Sequence, residues 1–352
     1  MTRYIATGAF DKGGIGVVEY RQDTNLDRRV AVKWVPQANH RRLLDELAAL
    51  QRVRSKHVVE IFDVTRGGVG SGVGVVEEFI EGRSLQEDLG KIRDKDEFVR
   101  LLFQMTSGLA DIHAVEVIHR DVKPSNMLID SHGILKYIDF NLARSESEAH
   151  TEGFKGTFGY AAPELYSRDP VKFSSKVDIY ALGVTALALV KGPVLPKSLA
   201  QRPPDPVAWQ REEGGFRGLN LAIDDQLLTL LDRCLSVSPS NRPTAADLVE
   251  RCERVLLKGR HRARLVEVGT GAQLGEVSAS SRKVRISSAK EPDRGFTIEY
   301  DGLEFKVSAL DGKVLVNHAL IAVGDVLPGC CVVELAGGRF VTVDTAHPEV
   351  VL

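Results

Sequence analysis

Apolar and polar positions alternate from Tyr4 to Trp34, interrupted by a glycine-rich turn and then a polar one, which predicts three antiparallel strands. The same period returns at Val58–Val64 and Val73–Phe79, again around a glycine-rich turn. Between His40 and Val53 the spacing changes: Leu43, Leu44, Leu47 and Leu50 fall on one face of a helix. Phe98, Leu101, Leu102, Met105, Leu109 and Ile112 repeat the helical period and read as core. Ser84-x-x-Glu87 ahead of them is a capping box. A small hairpin is expected from Met127-Leu128-Ile129-Asp130, Gly133 and Ile134–Ile138. The longest apolar run, Ile179 to Val190, is too short for the ~20 residues of a membrane helix and reads as a buried one. Leu227–Leu235 and Ala245–Leu257 predict two further helices.

The pattern changes character after residue 257. Lys258-Gly259-Arg260-His261-Arg262-Ala263-Arg264 is a basic stretch, read as a solvated linker. Short β-type runs follow at Leu265–Val268, Lys283–Ile286, Phe296–Tyr300, Leu303–Val307, Lys313–Val316, Cys331–Leu335 and Phe340–Val343. Asp301-Gly302 and Asp311-Gly312 between them are hairpin signals. Residues 265–352 are thus expected to form a small all-β sandwich with its own core.

Composition narrows the classes. Of 352 residues, 43% are hydrophobic and 27% charged, and the net charge is −2, which fits a globular protein of two domains without a general nucleic-acid or membrane surface. Cys234, Cys252, Cys330 and Cys331 lack zinc-site spacing, so reduced thiols and a cytoplasmic setting are expected. Met1-Thr2-Arg3-Tyr4 enters a foldable segment without an apolar signal stretch.

The densest chemistry is Ile118-His119-Arg120-Asp121-Val122-Lys123-Pro124-Ser125-Asn126. Asp121 offers a carboxylate able to accept a hydroxyl proton, Lys123 a cation for a phosphate, and Asn126 a neutral oxygen ligand. The stretch resembles the catalytic loop of eukaryotic-type protein kinases, H-R-D-x-x-x-x-N. That resemblance implies an α+β bilobal fold, with a β-rich lobe over about 1–80 and a helical lobe over about 81–257.

Its other elements follow in order. Asp11-Lys12-Gly13-Gly14-Ile15-Gly16-Val17-Val18 is similar to the phosphate-covering loop, although Asp11 stands where the first glycine is expected. The resemblance assigns Gly13, Gly14 and Gly16 to the phosphates, and Val18, Ala31 and Leu128 to the faces of an adenine ring. Glu78-Phe79-Ile80-Glu81-Gly82 matches the hinge whose backbone, at Glu78 and Ile80, bonds the adenine edge. Lys33 would hold the α- and β-phosphates and Glu46 would hold Lys33, with Asp45 as the neighbouring alternative. Glu77 falls where the family carries an apolar residue, or else the strand register differs by one. Asp139-Phe140-Asn141 matches D-F-G with Asn for Gly, so Asp139 and Asn126 are the expected magnesium ligands beside ATP.

Leu142–Lys155 resembles an activation loop. There Arg120 would pair with a phosphate, Thr151 is the preferred phosphosite, and Ser145 and Ser147 are other hydroxyls. Gly156-Thr157 through Ala162-Pro163-Glu164 matches the loop's end, and Thr157 with Lys123 implies Ser or Thr substrates. Asp178 is expected to accept backbone N–H groups of the catalytic loop, and Arg242 to pair with Glu164. His113 is expected to be packed.

Val316-Asn317-His318-Ala319-Leu320 and Gly324-Asp325-Val326-Leu327 resemble the end of a forkhead-associated domain, without the Gly-Arg and Ser-x-x-His elements that grip phosphothreonine. Docking or autoregulation is the role this suggests, and a homodimer stays open. The reading is an ATP- and magnesium-dependent Ser/Thr protein kinase acting on protein substrates. A pseudokinase scaffold, favoured by Asp11, Asn141 and Glu77, is its first rival. A small-molecule kinase is the second, disfavoured by the peptide-docking segment.

Overall fold

A computed structural model describes residues 3–350 apart from 14–15, 36–46, 48–50, 67–72, 140–143, 146–149, 152–156, 168–170, 173, 288–293, 336–337 and 347. The chain divides into two compact units, Met1–Cys252 and Glu253–Val351.

The first unit opens with five antiparallel strands: β1 (Tyr4–Gly13), β2 (Gly16–Asp23), β3 (Arg28–Val35), β4 (Ile61–Arg66) and β5 (Val73–Glu78). They lie in the order β1-β2-β3-β5-β4. Alternation sorts their side chains onto two faces. Tyr4, Val30, Val32 and Val76 form a core on one face, with Trp34 and Phe62 packed against it. Val73 and Val75 on the other face pack with Leu47 and Ile61. The buried Asp23 carboxylate takes two hydrogen bonds from the Arg3 guanidinium, at 2.9 and 2.8 Å, tying the start of the chain to the end of β2. Of the helix expected over residues 40–53, only Leu47 and residues 51–53 are described; Leu47 is helical, Gln51 N–H bonds Leu47 O at 2.9 Å, and residues 51–53 are turn and irregular chain. The predicted strand at Val58–Val64 begins later, at Ile61, because Val58 and Val59 pair instead with Tyr137 beyond the hinge.

The helical part is carried by α1 (Lys95–Ala114), α2 (Lys176–Lys191), α3 (Lys197–Ala200), α4 (Pro206–Glu213), α5 (Asp225–Cys234) and α6 (Ala245–Leu257). Asp94, Asp205 and Asp224 cap α1, α4 and α5 by accepting first-turn N–H groups. Thr244 and Asp247 cap α6 reciprocally, at 2.7 and 3.1 Å. The expected box at Ser84 and Glu87 is also present, on a short 3-10 turn at Leu85–Asp88. Helix α2 is apolar all round, and every residue from Val177 to Leu189 is buried. Gly183 permits that burial, since a Cβ there would meet the Cys234 Cβ at 2.9 Å. Among the described residues no helix is long and apolar enough to cross a membrane.

Short strands sit between α1 and α2: β7 (Val117–Ile118), the hairpin β8 (Met127–Asp130) and β9 (Leu135–Tyr137), then β10 (Arg144–Ser145), β11 (His150–Thr151) and β12 (Val171–Lys172). β8 also pairs with β6 (Gly82–Ser84), which carries the hinge into the helical part.

The second unit is a six-stranded and a three-stranded antiparallel sheet. The larger holds β13 (Arg262–Glu267), β14 (Gln273–Val277), β18 (Leu315–Val316), β19 (Ala319–Leu320), β20 (Cys330–Leu335) and β21 (Arg339–Ala346), the smaller β15 (Lys283–Ser287), β16 (Gly295–Tyr300) and β17 (Phe305–Asp311). One core draws on both, with Leu265, Val333 and Val343 meeting Phe296, Ile298 and Tyr300. Three details depart from the sequence reading. β14 and β19 carry no apolar alternation strong enough to announce them. The Asp301-Gly302 turn joins the paired strands β16 and β17, whereas Asp311-Gly312 passes the chain to the other sheet. The basic stretch is less of a linker than expected: Gly259 N–H bonds Gly302 O at 2.7 Å and the strand already starts at Arg262. Arg264 stands opposite Glu276 and Asp344 on its two neighbours, a favourable cross-strand arrangement of charge.

Arg242 fixes the helical part of the first unit. Its fully buried side chain donates to both Glu164 oxygens, at 2.6 and 2.7 Å, and to the carbonyls of Ser236, Lys176 and Val237. Arg242→Ala leaves that carboxylate uncompensated and is expected to destabilise this unit by about 3–5 kcal/mol. Trp34 and Trp209 both lie in it, so denaturant unfolding followed by tryptophan fluorescence checks the loss.

Candidate functional site

Strand register builds the upper wall of the cleft. Val18 lies opposite Lys33, Tyr20 opposite Ala31, Ala31 opposite Glu77 and Lys33 opposite Val75. Alternation puts all of these on one face, the face that packs on Leu47. The register therefore places Glu77 where the sequence read it, with no one-residue slip. Gly13 pairs with Gly16 at the end of the β1–β2 hairpin, and Gly14 at its tip lies outside the described residues. Asp11 pairs with Val18 through its backbone, which extends β1 past the position where a glycine was expected.

The lower wall is the catalytic-type loop. Asp178, in the first turn of α2, accepts the backbone N–H groups of His119 and Arg120, each at 2.8 Å. His113 Nε2 meets the same carboxylate at 2.9 Å, so this histidine supports the loop from the end of α1. Held by these bonds, Arg120 adopts a φ of 67°, a conformation uncommon outside glycine, and the loop turns so that Asp121 points into the cleft wall.

Asp121, Lys123, Asn126 and Thr157 converge. Lys123 Nζ stands 2.7 Å from Asp121 Oδ2 and donates to Thr157 Oγ1 at 2.7 Å. Thr157 Oγ1 donates to Asp121 Oδ1 at 2.7 Å, and Asn126 Nδ2 to Asp121 Oδ2 at 2.8 Å and Asp121 O at 2.9 Å. Burial alone would raise the Asp121 carboxyl. The hydrogen bonds from Lys123, Thr157 and Asn126, with the lysine charge, outweigh it and hold the group below the ordinary carboxylate range. It is therefore ionised at neutral pH, as a proton acceptor must be.

Lys33 reaches across the cleft and forms an ion pair with Asp139, which has a φ of 64°. Ile138 N–H bonds Asn126 O at 2.9 Å, which sets Asp139 beside Asn126. The Asn126 amide nitrogen is spent on Asp121, so its side-chain oxygen turns the other way. A carboxylate and an amide oxygen are hard donors of the kind a divalent cation prefers.

The remaining expectations fall as follows. Glu78 opens the hinge, but its side chain is structural: it pairs with Lys136 on β9 at 2.9 Å and accepts Glu60 N–H. Ile80 is half-buried in the hinge, and Leu128 is half-buried between the buried Met127 and Ile129. Thr151 lies on β11, its backbone opposite Val171. Glu46, Phe140 and Asn141 lie outside the described residues, as do the side chains of Thr151 and Ser145. Sequence reasoning missed the Glu78–Lys136 pair and gave His113 no partner. The one available signal was a histidine closing a helix otherwise apolar on that side.

Glu77 was noticed without its consequence. Burial pushes its carboxyl up to about 7, opposed by Lys33 and reinforced by Asp139. The residue is half-buried, and no described residue donates a hydrogen bond to its carboxyl. An acid with a folded-state pKa above its unfolded value binds protons better when folded, so its penalty is absent at low pH and grows as pH rises from about 4.5 to about 7. Glu77→Gln is expected to gain on the wild type across that window, by at most about 3 kcal/mol at the conversion of ~1.4 kcal/mol per unit. Paired denaturation curves between pH 4.5 and 8 measure the difference.

Comparison with known proteins places this geometry. The model of the protein kinase domain matches residues 8–252. CBL-interacting protein kinase 19 of Oryza sativa subsp. japonica is 34% identical over 214 residues, covering 58% of this chain and 40% of the relative. Serine/threonine-protein kinase PAK 4 of Mus musculus is 30% identical over 246 residues, 68% of this chain and 40% of the relative. Serine/threonine-protein kinase PrkC of Bacillus subtilis (strain 168) is 32% identical over 202 residues, 54% of this chain and 30% of the relative. The chain thus spans less than half the length of these relatives. Family proteins in general use ATP with a divalent metal ion. With the family model covering most of the first unit and the cleft built as its geometry requires, the chain belongs to the protein kinase family.

Proposed function

We propose that the protein is a Ser/Thr protein kinase that transfers the γ-phosphoryl group of ATP, with magnesium, to hydroxyls of protein substrates. The observation that carries this reading is the Asp121 carboxylate, ionised and held by Lys123, Asn126 and the Thr157 hydroxyl. Bound ATP and its metal supply the phosphoryl group and a cation that neutralises its charge. Asp121 orients the acceptor hydroxyl and takes its proton. Lys123 steadies the negative charge of the group in transfer, and Lys33 positions phosphates from the opposite wall. Asn126 and Asp139 hold the metal. Val18, Ala31 and Leu128 cover the base, Glu78 and Ile80 offer hinge backbone, and Gly13, Gly14 and Gly16 cover the phosphates. Catalysis of this kind is positioning plus charge stabilisation.

Regulation in this reading runs through Thr151, with Arg120 receiving its phosphate, and Glu46 completes the grip on Lys33. Residues 265–352 serve as a docking or autoregulatory module. Their resemblance to a forkhead-associated domain supports an interaction role without phosphothreonine recognition.

Incubation of the full chain with γ-labelled ATP, magnesium and a generic protein substrate is expected to place label on Ser or Thr. Asp121→Asn should lose at least about a hundredfold in rate, the scale of positioned acid–base groups. Nucleotide binding without transfer by the wild type would turn the reading to a scaffold. Mass spectrometry of the same sample is expected to find phosphate on Thr151, and a fully active enzyme unmodified there would remove it as the switch.

A further inference from the structure

The cleft face of the five-stranded sheet holds a half-buried carboxyl that the reading above does not use. Glu77 lies across from Ala31 and diagonal to Lys33. Diagonal neighbours in an antiparallel pair stand about 7–8 Å apart, within reach of two long side chains. The wall around it is apolar, with Val73, Val75 and Leu47 buried and Ile61 packed on them. No described residue hydrogen-bonds the Glu77 carboxyl, and Lys33 is the cation that acts on it electrostatically. A half-buried carboxylate beside apolar side chains gains from an ionic partner within reach.

Lys33 can become that partner. Its amine here engages Asp139, the carboxylate assigned above to a metal ion. A divalent cation on Asp139 draws those oxygens away and leaves the amine to other anions. An ammonium group has three N–H donors, so it can serve a carboxylate behind it and a phosphate in front of it together.

We propose that Glu77 is a positioning residue that receives the Lys33 amine when Asp139 turns to metal, and so holds the amine toward the phosphates of a bound nucleotide. This rests on the nucleotide reading above. It makes Glu77 a second carboxylate for Lys33, alongside the one assigned to Glu46.

Calorimetric titration of the full chain with ADP and magnesium, and separately with adenosine, tests it without turnover. Glu77→Gln and Glu77→Leu are each expected to weaken magnesium–ADP about tenfold, ~1.4 kcal/mol, and to leave adenosine within about twofold. In a Lys33→Met background neither should cost anything further, because the lost interaction is already gone. Glu77→Gln, close in shape to the native residue, guards against a folding defect in Glu77→Leu. Unchanged or tighter magnesium–ADP binding by both variants would overturn the proposal. So would an equal loss for adenosine, which would make Glu77 part of the base pocket, or a full additional loss in the Lys33→Met background. Failure of the wild type to bind magnesium–ADP would overturn the nucleotide reading and this inference with it, an outcome distinct from normal wild-type binding with silent variants.

Discussion

Asp178 is the constraint on which the site depends. Its carboxylate is almost fully buried in the first turn of α2, where the helix's N-terminal partial charge favours an anion. It accepts the N–H groups of His119 and Arg120 and meets His113, so one side chain joins two helices and the loop between them. Backbone N–H groups fixed at both residues leave the loop little choice of conformation, and Arg120 takes a positive φ as a result. Asp121, Lys123 and Asn126 inherit their directions from that turn. Pro124 stiffens the next one, at the start of a 3-10 turn over Pro124–Asn126.

Charge in the cleft is answered locally. Asp121 has Lys123, Asp139 has Lys33, and the hinge carboxylate Glu78 has Lys136. Groups that a phosphate or a metal would need are thus already paired with each other, and a ligand enters by exchanging partners. Exchange costs less than creating new buried charge, because each ion keeps a counter-ion throughout. Glu77, diagonal to Lys33, is the exception among the described carboxylates of this wall, since no ion pair engages it.

The two units solve their cores differently. The first buries a largely apolar helix among other helices and sets its polar chemistry at the ends of elements. In the second, one core lies between two antiparallel sheets, and Tyr300 joins the residues before the first strand to the turn after its own. The Tyr300 hydroxyl donates to Gly302 O at 2.6 Å and accepts the His261 N–H at 3.2 Å. That knot draws part of the basic stretch into the unit, where Arg264 stands opposite Glu276 and Asp344.

Order along the chain was enough to read the kinase-like elements, because each is a short motif whose residues act at fixed offsets. The His119–Asn126 loop and the Asp139 turn were legible from such offsets, as was the burial of α2 from its continuous apolar run, while the Glu164–Arg242 pair was expected only from the family resemblance. What the linear pattern could not supply was distance between motifs. The Lys33–Asp139 pair, the convergence of Thr157 on Asp121 and Lys123, and the support of Asp178 by His113 join residues 34 to 106 positions apart. Likewise Asp311-Gly312 has the composition of a hairpin turn, yet the chain there changes sheets, since a turn fixes local direction and the core decides which strand lies alongside. Glu77 marks the boundary most sharply. Its identity is plain in the sequence, but its register and its place diagonal to Lys33 are set only when β5 pairs with β3.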